Sequence, residues 1–312
     1  MPESGALPND GRGSVVTVGT FDGVHLGHRR VIEEIASRAR RSSCRSMLVT
    51  FEPHPMQVVN PQAAPLLLTV ADERREFLAQ SELDVVVFME FTRQLSRFAP
   101  DAFVHLLLDR FHMRELVIGH DHGFGQGRAG NVELLERLGH QLGFVVDVVD
   151  VVDVDGQPVS STLVRRAVAG GDLDTARRLL GRPYSLTAPV VRGATRGRQL
   201  GFPTVNVRLP DPRKLLPPDG VYAVWAEWAD GASGGMMHQG PRPTFGDDAR
   251  SIEAHVFDLD VDLYGKSVKL SWVSRLRDVQ RFSSASALSH QLDRDFAEAK
   301  SALTRWRSLS SH

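Results

Sequence analysis

Cysteine is nearly absent: Cys44 is the one thiol in 312 residues, which excludes an internal disulfide and any metal site built on a cysteine cluster. Neither sign of charge is in excess, since 37 Lys and Arg face 38 Asp and Glu. Net charge therefore offers no attraction to nucleic acid or to an anionic membrane, and small molecules are the expected ligands. No uninterrupted apolar run approaches the roughly 20 residues that span a bilayer, because the longest Val-rich tract, VVDVVDVVDVD, is broken by Asp. The opening MPESGALPNDGRG lacks both a basic n-region and an apolar h-region, and residues 1–13 read as a disordered lead-in. Together these absences predict a cytoplasmic protein, a monomer or weak homo-oligomer, with neither nucleic acid nor membrane among its partners.

Hydrophobic residues make up 42% of the chain, enough at this length to bury two cores, so two domains are expected. The first half alternates strand and helix signals. Ser14 to Val18 is β-branched and apolar, whereas Val31, Ile32, Ile35, Ala36 and Ala39 repeat with helical spacing. Short apolar runs at Met47 to Phe51, Val85 to Met89 and Leu116 to Ile118 are separated by helical stretches, including Pro100 to Phe111. This predicts an α/β, Rossmann-like domain over 14–184 with a parallel, helix-flanked sheet. The tract from Val145 to Asp155 has a period of three that suits neither element; its valines favour one strand with an acidic edge. Ser160-Ser161-Thr162 can cap a helix, Gly170 and Gly171 can end it, and Asp172 can cap the next. From residue 185 to 312 short β-rich pieces, such as Val221 to Trp228, Ile252 to Asp258 and Ser267 to Val273, alternate with Pro- and Gly-rich turns. They predict an antiparallel barrel, with a C-terminal helix carrying Leu288, Leu292, Phe296 and Leu303.

Gly19-Thr20-Phe21-Asp22-Gly23-Val24-His25-Leu26-Gly27-His28 follows the first apolar run directly, a glycine-rich turn that delivers two histidines to the mouth of a helix. Glycines let a backbone approach polyphosphate closely, and a helix N-terminus favours negative charge. Histidines there can donate to phosphate oxygens as charge moves onto departing pyrophosphate. Taken alone, an H-x-G-H is better read as half of a metal site or as two surface histidines. The whole string, however, resembles the G-x-F-D-G-x-H-x-G-H signature of the prokaryotic bifunctional riboflavin kinase/FAD synthetase family.

Further strings are similar to that family, in its order, from about Val15 to about Phe296. Phe51-Glu52-Pro53-His54-Pro55 resembles F-x-P-H-P. Gly119-His120-Asp121-His122-Gly123-Phe124-Gly125, with Arg128 and Gly130, resembles the G-x-D/N-F-x-F-G and R-x-G loop, although His122 and Gly123 depart from the usual types. Ser160-Ser161-Thr162 with Arg165 resembles S-S-T-x-x-R, whose bottom-up reading is an N-cap and an exposed arginine. The resemblance implies a domain that transfers AMP from ATP to FMN. It assigns His25 and His28 to catalysis, and Gly19, Phe21, Asp22, Gly27, Asp121, Ser161, Thr162 and Arg165, with both histidines, to ATP. It assigns His54, Phe124 and Arg128 to FMN.

In the second half, Gly193-Ala194-Thr195-Arg196-Gly197-Arg198-Gln199-Leu200-Gly201-Phe202-Pro203-Thr204-Val205-Asn206 is by itself a basic turn leading into a strand. A glycine-flanked basic loop can fold over phosphates, and the Thr204 hydroxyl and Asn206 amide are oxygen ligands suited to Mg²⁺ carrying ATP. The string resembles the family's G-x-x-x-G-R-x-L-G-F-P-T-A-N. Gly240-Pro241-Arg242-Pro243-Thr244-Phe245 resembles the end of N-I-G-x-R-P-T-F, with His238 and Gln239 where Asn and Ile are usual. Ile252-Glu253-Ala254-His255 resembles I-E-x-H, and Leu276-Arg277 with Phe282 resembles L-R…F. The resemblance implies that riboflavin is phosphorylated here, with Gly193, Arg196, Gly197, Gly201, Pro203, Arg242 and Arg277 on ATP or flavin. Glu253 is read as the base, since a carboxylate ionised at neutral pH can accept the proton of an attacking hydroxyl; the competing view is a solvent-facing glutamate on an edge strand. Three other readings stay open: an FAD synthetase with a weakened kinase, motivated by His238 and Gln239; a kinase with a silent adenylyltransferase, motivated by His122 and Gly123; and a flavin- or nucleotide-binding regulator without turnover.

Overall fold

The apolar runs of the first half pair into one parallel sheet in the computed structural model, which describes residues 10–119, 131–193, 201–242 and 247–310. The chain forms two compact units, Met1–Ser161 and Thr162–His312.

The first unit runs β1 (Ser14–Val18), α1 (Leu26–Ser42), β2 (Arg45–Glu52), α2 (Pro55–Val59), α3 (Ala71–Ala79), β3 (Val85–Glu90), α4 (Pro100–Phe111), β4 (Met113–Gly119), α5 (Val132–Leu142) and β5 (Val145–Val149). A small hairpin, β6 (Asp153–Val154) and β7 (Gln157–Pro158), follows. The sheet order is β3-β2-β1-β4-β5, with parallel pairing throughout. Both faces of β1 are buried, so its run is apolar without alternation. Val16 and Val18 pack with Phe103, Leu107 and Phe111 of α4, and Val15 packs with Ile32 and Ile35 of α1. Each such fully buried aliphatic side chain contributes about 2 kcal/mol. In sheets of this order ligands bind beyond the C-terminal strand ends where the order reverses, which here is the loop after β1.

Residues 10–13, at the end of the lead-in expected over 1–13, lie against β2: the Gly13 carbonyl accepts from the Arg45 N–H at 2.8 Å, and Arg45 pairs with Asp10. The tract from Val145 to Asp155 is not the single strand expected. β5 ends at Val149, where a period of three would send aspartates to both faces, and extended chain resumes only in the two-residue β6; Asp147, inside β5, is neutralised by Arg38 at 2.6 Å.

The second unit opens with α6, whose range Ser161–Gly170 begins on the last residue of the first unit, and α7 (Leu173–Leu180). Asp172 caps α7 by accepting from the Thr175 N–H at 3.0 Å, and Gly181 ends it in the left-handed conformation. Then come β8 (Ser185–Val191), β9 (Val205–Val207), β10 (Gly220–Trp228), β11 (Gly231–Arg242), β12 (Asp247–Val256), β13 (Ser267–Arg277) and α8 (Ala285–Ser310). The six strands close an antiparallel barrel in the order β10-β11-β12-β9-β8-β13. Both short helices group with this barrel, rather than closing the first domain near Tyr184: α7 packs on β13, and Tyr184 stacks on Trp272 with ring centroids 5.6 Å apart. On the barrel's outer face Ala223, Met236 and Phe257 pack against Ala299, Ala302 and Leu303 of α8.

Candidate active sites

The loop after β1 is held by a buried carboxylate. Asp22 accepts from the backbone N–H of Leu68 at 3.0 Å, from that of Thr69 at 2.8 Å and from the Thr69 hydroxyl at 3.0 Å, while that hydroxyl accepts from the Gly23 N–H at 3.0 Å. Phe21 and Val24 take positive φ, 47° and 39°, as does Gly23 at 83°. Three left-handed residues within four positions make a sharp turn that the Asp22 bonds fix. The Asp22 carbonyl in turn accepts from the Ser161 hydroxyl at 2.9 Å.

His25 is the N-cap of α1. Its Nδ1 accepts from the His28 backbone N–H at 3.3 Å, and the two imidazoles stack with centroids 3.7 Å apart. With Nδ1 as acceptor, a neutral His25 carries its proton on Nε2 and is a donor there. Phe21 lies beside His28, centroids 4.8 Å apart. Gly27 keeps this stack close, since a Cβ there would sit 3.2 Å from the His25 ring, and a Cβ at Gly19 would sit 3.0 Å from the Phe21 ring. His54 is likewise a cap: its Nδ1 accepts from the Met56 N–H at 3.2 Å at the start of α2.

Arg74 was not marked by any motif. It is fully buried and donates to the Thr20 carbonyl at 3.1 Å and the Phe51 carbonyl at 2.9 Å, and it pairs with Glu52, tying the loop after β1 to the end of β2. Burial lowers its pKa from the usual arginine value, against the opposing pull of the Glu52 and Asp22 carboxylates. Its sequence context, ADERREFLA, is an ordinary charged helix, so nothing in the pattern separates it from a surface arginine.

Thr162 and Arg165 follow Ser161 along α6. Asp121, Phe124 and Arg128, with the departures His122 and Gly123, lie outside the described residues, as do Arg196 and Gly197. Gly201 is a turn residue with φ 82°, and Arg242 is the last residue of β11.

In the barrel, Asn206 of β9 is the direct cross-strand partner of Glu253 on β12. Directly opposed residues share a face. The Thr204 hydroxyl donates to Glu253 Oε2 at 3.4 Å, and the Ser251 hydroxyl, which no motif marked, donates to Oε1 at 3.1 Å. Gly193 lies against the Asn206 amide so closely that a Cβ built on it would overlap that group. The Pro203 carbonyl is 2.8 Å from His255 Nδ1, which fixes the approach to Thr204. Thus two motifs far apart in sequence bring a hydroxyl, an amide and a carboxylate together. The row continues: Glu253 is opposite His238 of β11, His238 opposite Val221 of β10, and Val221 opposite Arg277 of β13. The Arg277 guanidinium is committed to Asp295 of α8, with Nε 2.9 Å from Oδ1 and Nη2 2.7 Å from Oδ2. Gln239 is buried, and its amide nitrogen donates to the Pro217 carbonyl at 2.6 Å.

A family model described as FAD synthetase matches residues 7–163, and one described as riboflavin kinase matches residues 180–303. A bifunctional riboflavin kinase/FMN adenylyltransferase of Pseudomonas fluorescens is 38% identical over 93% of this chain and 93% of its own. The enzyme of the same description from Escherichia coli K12 is 34% identical over 92% of each chain. Among solved structures, a Streptococcus pneumoniae protein described as a macrolide-efflux protein covers 93% of this chain and 94% of its own, with TM-score 0.83 and 29% identity. Among the described residues no helix is long and apolar enough to cross a membrane.

Proposed function

The chain belongs to the bifunctional riboflavin kinase/FMN adenylyltransferase family, and from that premise we propose which of its residues carry each reaction. The enzyme phosphorylates riboflavin with ATP to give FMN and transfers AMP from a second ATP to FMN, giving FAD and pyrophosphate. We assign adenylyl transfer to the α/β unit and phosphorylation to the barrel, and place both in the cytoplasm because both consume ATP.

For adenylyl transfer, an FMN phosphate oxygen bonds to the ATP α-phosphorus as the bond to the β-phosphate bridging oxygen breaks. No covalent nucleophile is needed, so the protein's work is to orient and to stabilise charge. His25 and His28 are read as the donors that meet negative charge on the leaving pyrophosphate. Gly19, Phe21, Asp22 and Gly27 shape the loop that presents them, and Asp121, Ser161, Thr162 and Arg165 complete the ATP set. His54, Phe124 and Arg128 are read as the FMN contacts. The supporting observation is the stacked histidine pair at the head of α1, in which the His28 backbone N–H donates to His25 Nδ1.

For phosphorylation, Glu253 accepts the proton of the riboflavin 5′-hydroxyl as that oxygen bonds to the γ-phosphorus and ADP leaves. Thr204 and Asn206 would hold Mg²⁺, which neutralises phosphate charge when bound. The donors fit this ion: both are oxygen ligands, and Gly193 leaves the Asn206 amide a cradle that any side chain would fill. Among the described residues no group of three His, Cys, Asp or Glu could hold a metal, so ATP phosphates and water would supply the rest. Gly193, Arg196, Gly197, Gly201, Pro203 and Arg242 are read as ATP or flavin contacts. Arg277 is read with them, acting through its hold on Asp295.

The observation that carries the kinase assignment is the convergence of Thr204, Asn206 and Glu253 on one face of the barrel. The test is to supply riboflavin, ATP and Mg²⁺ and resolve the flavins by chromatography. Wild type should yield FAD; Glu253→Ala should stall at riboflavin yet convert supplied FMN; His25→Ala/His28→Ala should stop at FMN. A wild type that adenylylates FMN but leaves riboflavin untouched would overturn the kinase assignment.

A further inference from the structure

We infer that Arg74 is a positioning residue for adenylyl transfer, setting the gap between the loop that presents His25 and His28 and the loop that presents His54. The inference rests on the reading of the first loop as the ATP site and of His54 as an FMN contact. From α3 the Arg74 guanidinium reaches both. Its Nη1 donates to the Thr20 carbonyl at 3.1 Å, in the turn after β1. Its Nη2 donates to the Phe51 carbonyl at 2.9 Å and pairs with Glu52, the last two residues of β2. His54 stands two residues beyond Glu52 and caps α2. One planar, rigid group thus fixes the spacing of two chain segments that lead to the two substrates.

Stability gives little reason for a cation here. Arg74 is 1% exposed, and its Nε is buried with no hydrogen-bond partner among the described residues. An apolar side chain of similar volume commonly serves a fold as well as a buried charge, or better. Nor is the guanidinium needed to join the strands, since the Gly19 N–H donates to the Val49 carbonyl and the Thr50 hydroxyl to the Thr20 carbonyl, each at 3.0 Å. What Arg74 adds is a grip on Phe51 and Glu52, the residues that lead to His54. The segment ahead of it holds the first loop too, because the Leu68 and Thr69 amides donate to the Asp22 carboxylate. Leu68 to Arg74 therefore fastens the first loop at Thr20 and Asp22 and the second at Phe51 and Glu52.

Adenylyl transfer depends on that spacing. An FMN phosphate oxygen must approach the ATP α-phosphorus in line with the bridging oxygen that leaves, so the gap between the two loops sets how far apart the reacting atoms lie. Without Arg74 each loop keeps fastenings of its own: the Asp22 bonds for the first, and the pairing of Phe51 and Glu52 with Met89 and Glu90 of β3 for the second. Each substrate should still find its loop, while the two are held less well against each other. Such a loss belongs to the chemical step and not to affinity.

The experiment follows FAD formation in single turnovers, with enzyme in excess over FMN and with ATP and Mg²⁺ supplied, for wild type, Arg74→Met, Arg74→Lys and His25→Ala/His28→Ala. The plateau rate constant at high enzyme and ATP reports the chemical step, and a partly unfolded variant reaches the same plateau at a higher total enzyme concentration. Methionine fills the site without a donor. Arg74→Met should lower the plateau about tenfold or more, with the half-saturating concentrations of ATP and of folded enzyme within about twofold of wild type. Lysine has three N–H donors for the same three acceptors, so Arg74→Lys should recover most of the loss. A plateau for Arg74→Met within about twofold of wild type, beside a crippled histidine variant, overturns the inference and leaves the histidine reading standing. A change confined to half-saturation overturns it too, because that marks a residue that holds one loop alone. So does a lysine variant as slow as the methionine one. If His25→Ala/His28→Ala reaches the wild-type plateau, the reading of the first loop fails first and the inference goes with it.

Discussion

Gly193 and Asn206 touch so closely that no side chain fits between them: a Cβ on Gly193 would overlap the Asn206 amide. Asn206 faces Glu253 across the β9–β12 pair, so the glycine sets the place of one member of the kinase row from outside it. Gly193→Ala should push the amide off that row. Displacements of about 1 Å at a reacting centre cost on the order of 100-fold, so riboflavin phosphorylation should fall by about that factor. Conversion of supplied FMN to FAD should persist. The two half-reactions run side by side on one preparation check this, and an alanine variant with wild-type phosphorylation would contradict it.

Asp22 gives a prediction for stability. Its carboxylate accepts two backbone N–H groups and a hydroxyl, all buried. Asp22→Ala leaves the amides of Leu68 and Thr69 without their acceptor. Orphaning buried donors costs about 1–3 kcal/mol each, so the first unit should lose about 3 kcal/mol. Urea denaturation followed by circular dichroism should show an earlier first transition, and FMN adenylylation should fall with it because the left-handed turn through Phe21 and Val24 loses its anchor.

Much of this was legible in the sequence where local chemistry decides. The Pro100–Phe111 helix has the bounds its pattern predicts, because Pro can open a helix and the apolar residues Phe103, Leu106 and Leu107 fall on one side. The cap at Asp172 was legible for the same reason. β11 was not. Its sequence, GASGGMMHQGPR, carries four glycines and looks like a loop, yet it is a twelve-residue strand. The glycines are there because β11 is crowded: a Cβ at Gly235 would lie 2.7 Å from the His255 carbonyl oxygen, and one at Gly234 would lie 2.7 Å from Leu303. Close approach by a partner strand and a helix has no periodicity to read. The opposition of Glu253 to His238 was hidden with it, since register is a property of two strands. Arg74 escaped because burial of a cation is decided by carbonyls from elements distant in sequence.

Asp172 supplies a pH dependence. The Thr175 backbone N–H, joined by the Thr175 side chain, holds its carboxyl below the usual aspartate range. A carboxylate with a lowered folded pKa stabilises fully above its unfolded value, about 3.9, and loses that contribution as the pH falls through the folded value. Asp172→Ala should therefore cost about 1 kcal/mol at pH 7, the usual worth of an N-cap. The difference in melting temperature between wild type and variant should narrow as the pH falls below about 4. A gap that stays constant to pH 3 would mean that the cap acts through packing rather than through charge.

Arg277 and Asp295 separate two roles that the sequence assigns to one residue. The guanidinium donates to both carboxylate oxygens, Gln291 donates to Oδ1 at 2.8 Å, and Asp295 is 1% exposed, so the pair clamps α8 onto the end of β13. Removing one member of a buried pair strands the other and costs about 3 kcal/mol or more. If the clamp is the role of Arg277, then Arg277→Ala and Asp295→Ala should destabilise the second unit equally. The double variant should be no worse than either, because each single change already forfeits the pair. Riboflavin phosphorylation should then fall in parallel with the folded fraction in all three. A direct hand on flavin or ATP gives a different result: Arg277→Ala would raise the KM of one substrate in protein that is fully folded, whereas Asp295→Ala would leave it unchanged. Denaturation curves and substrate KM values measured on the same three variants distinguish the outcomes, and a strictly additive double variant would remove the clamp from the account.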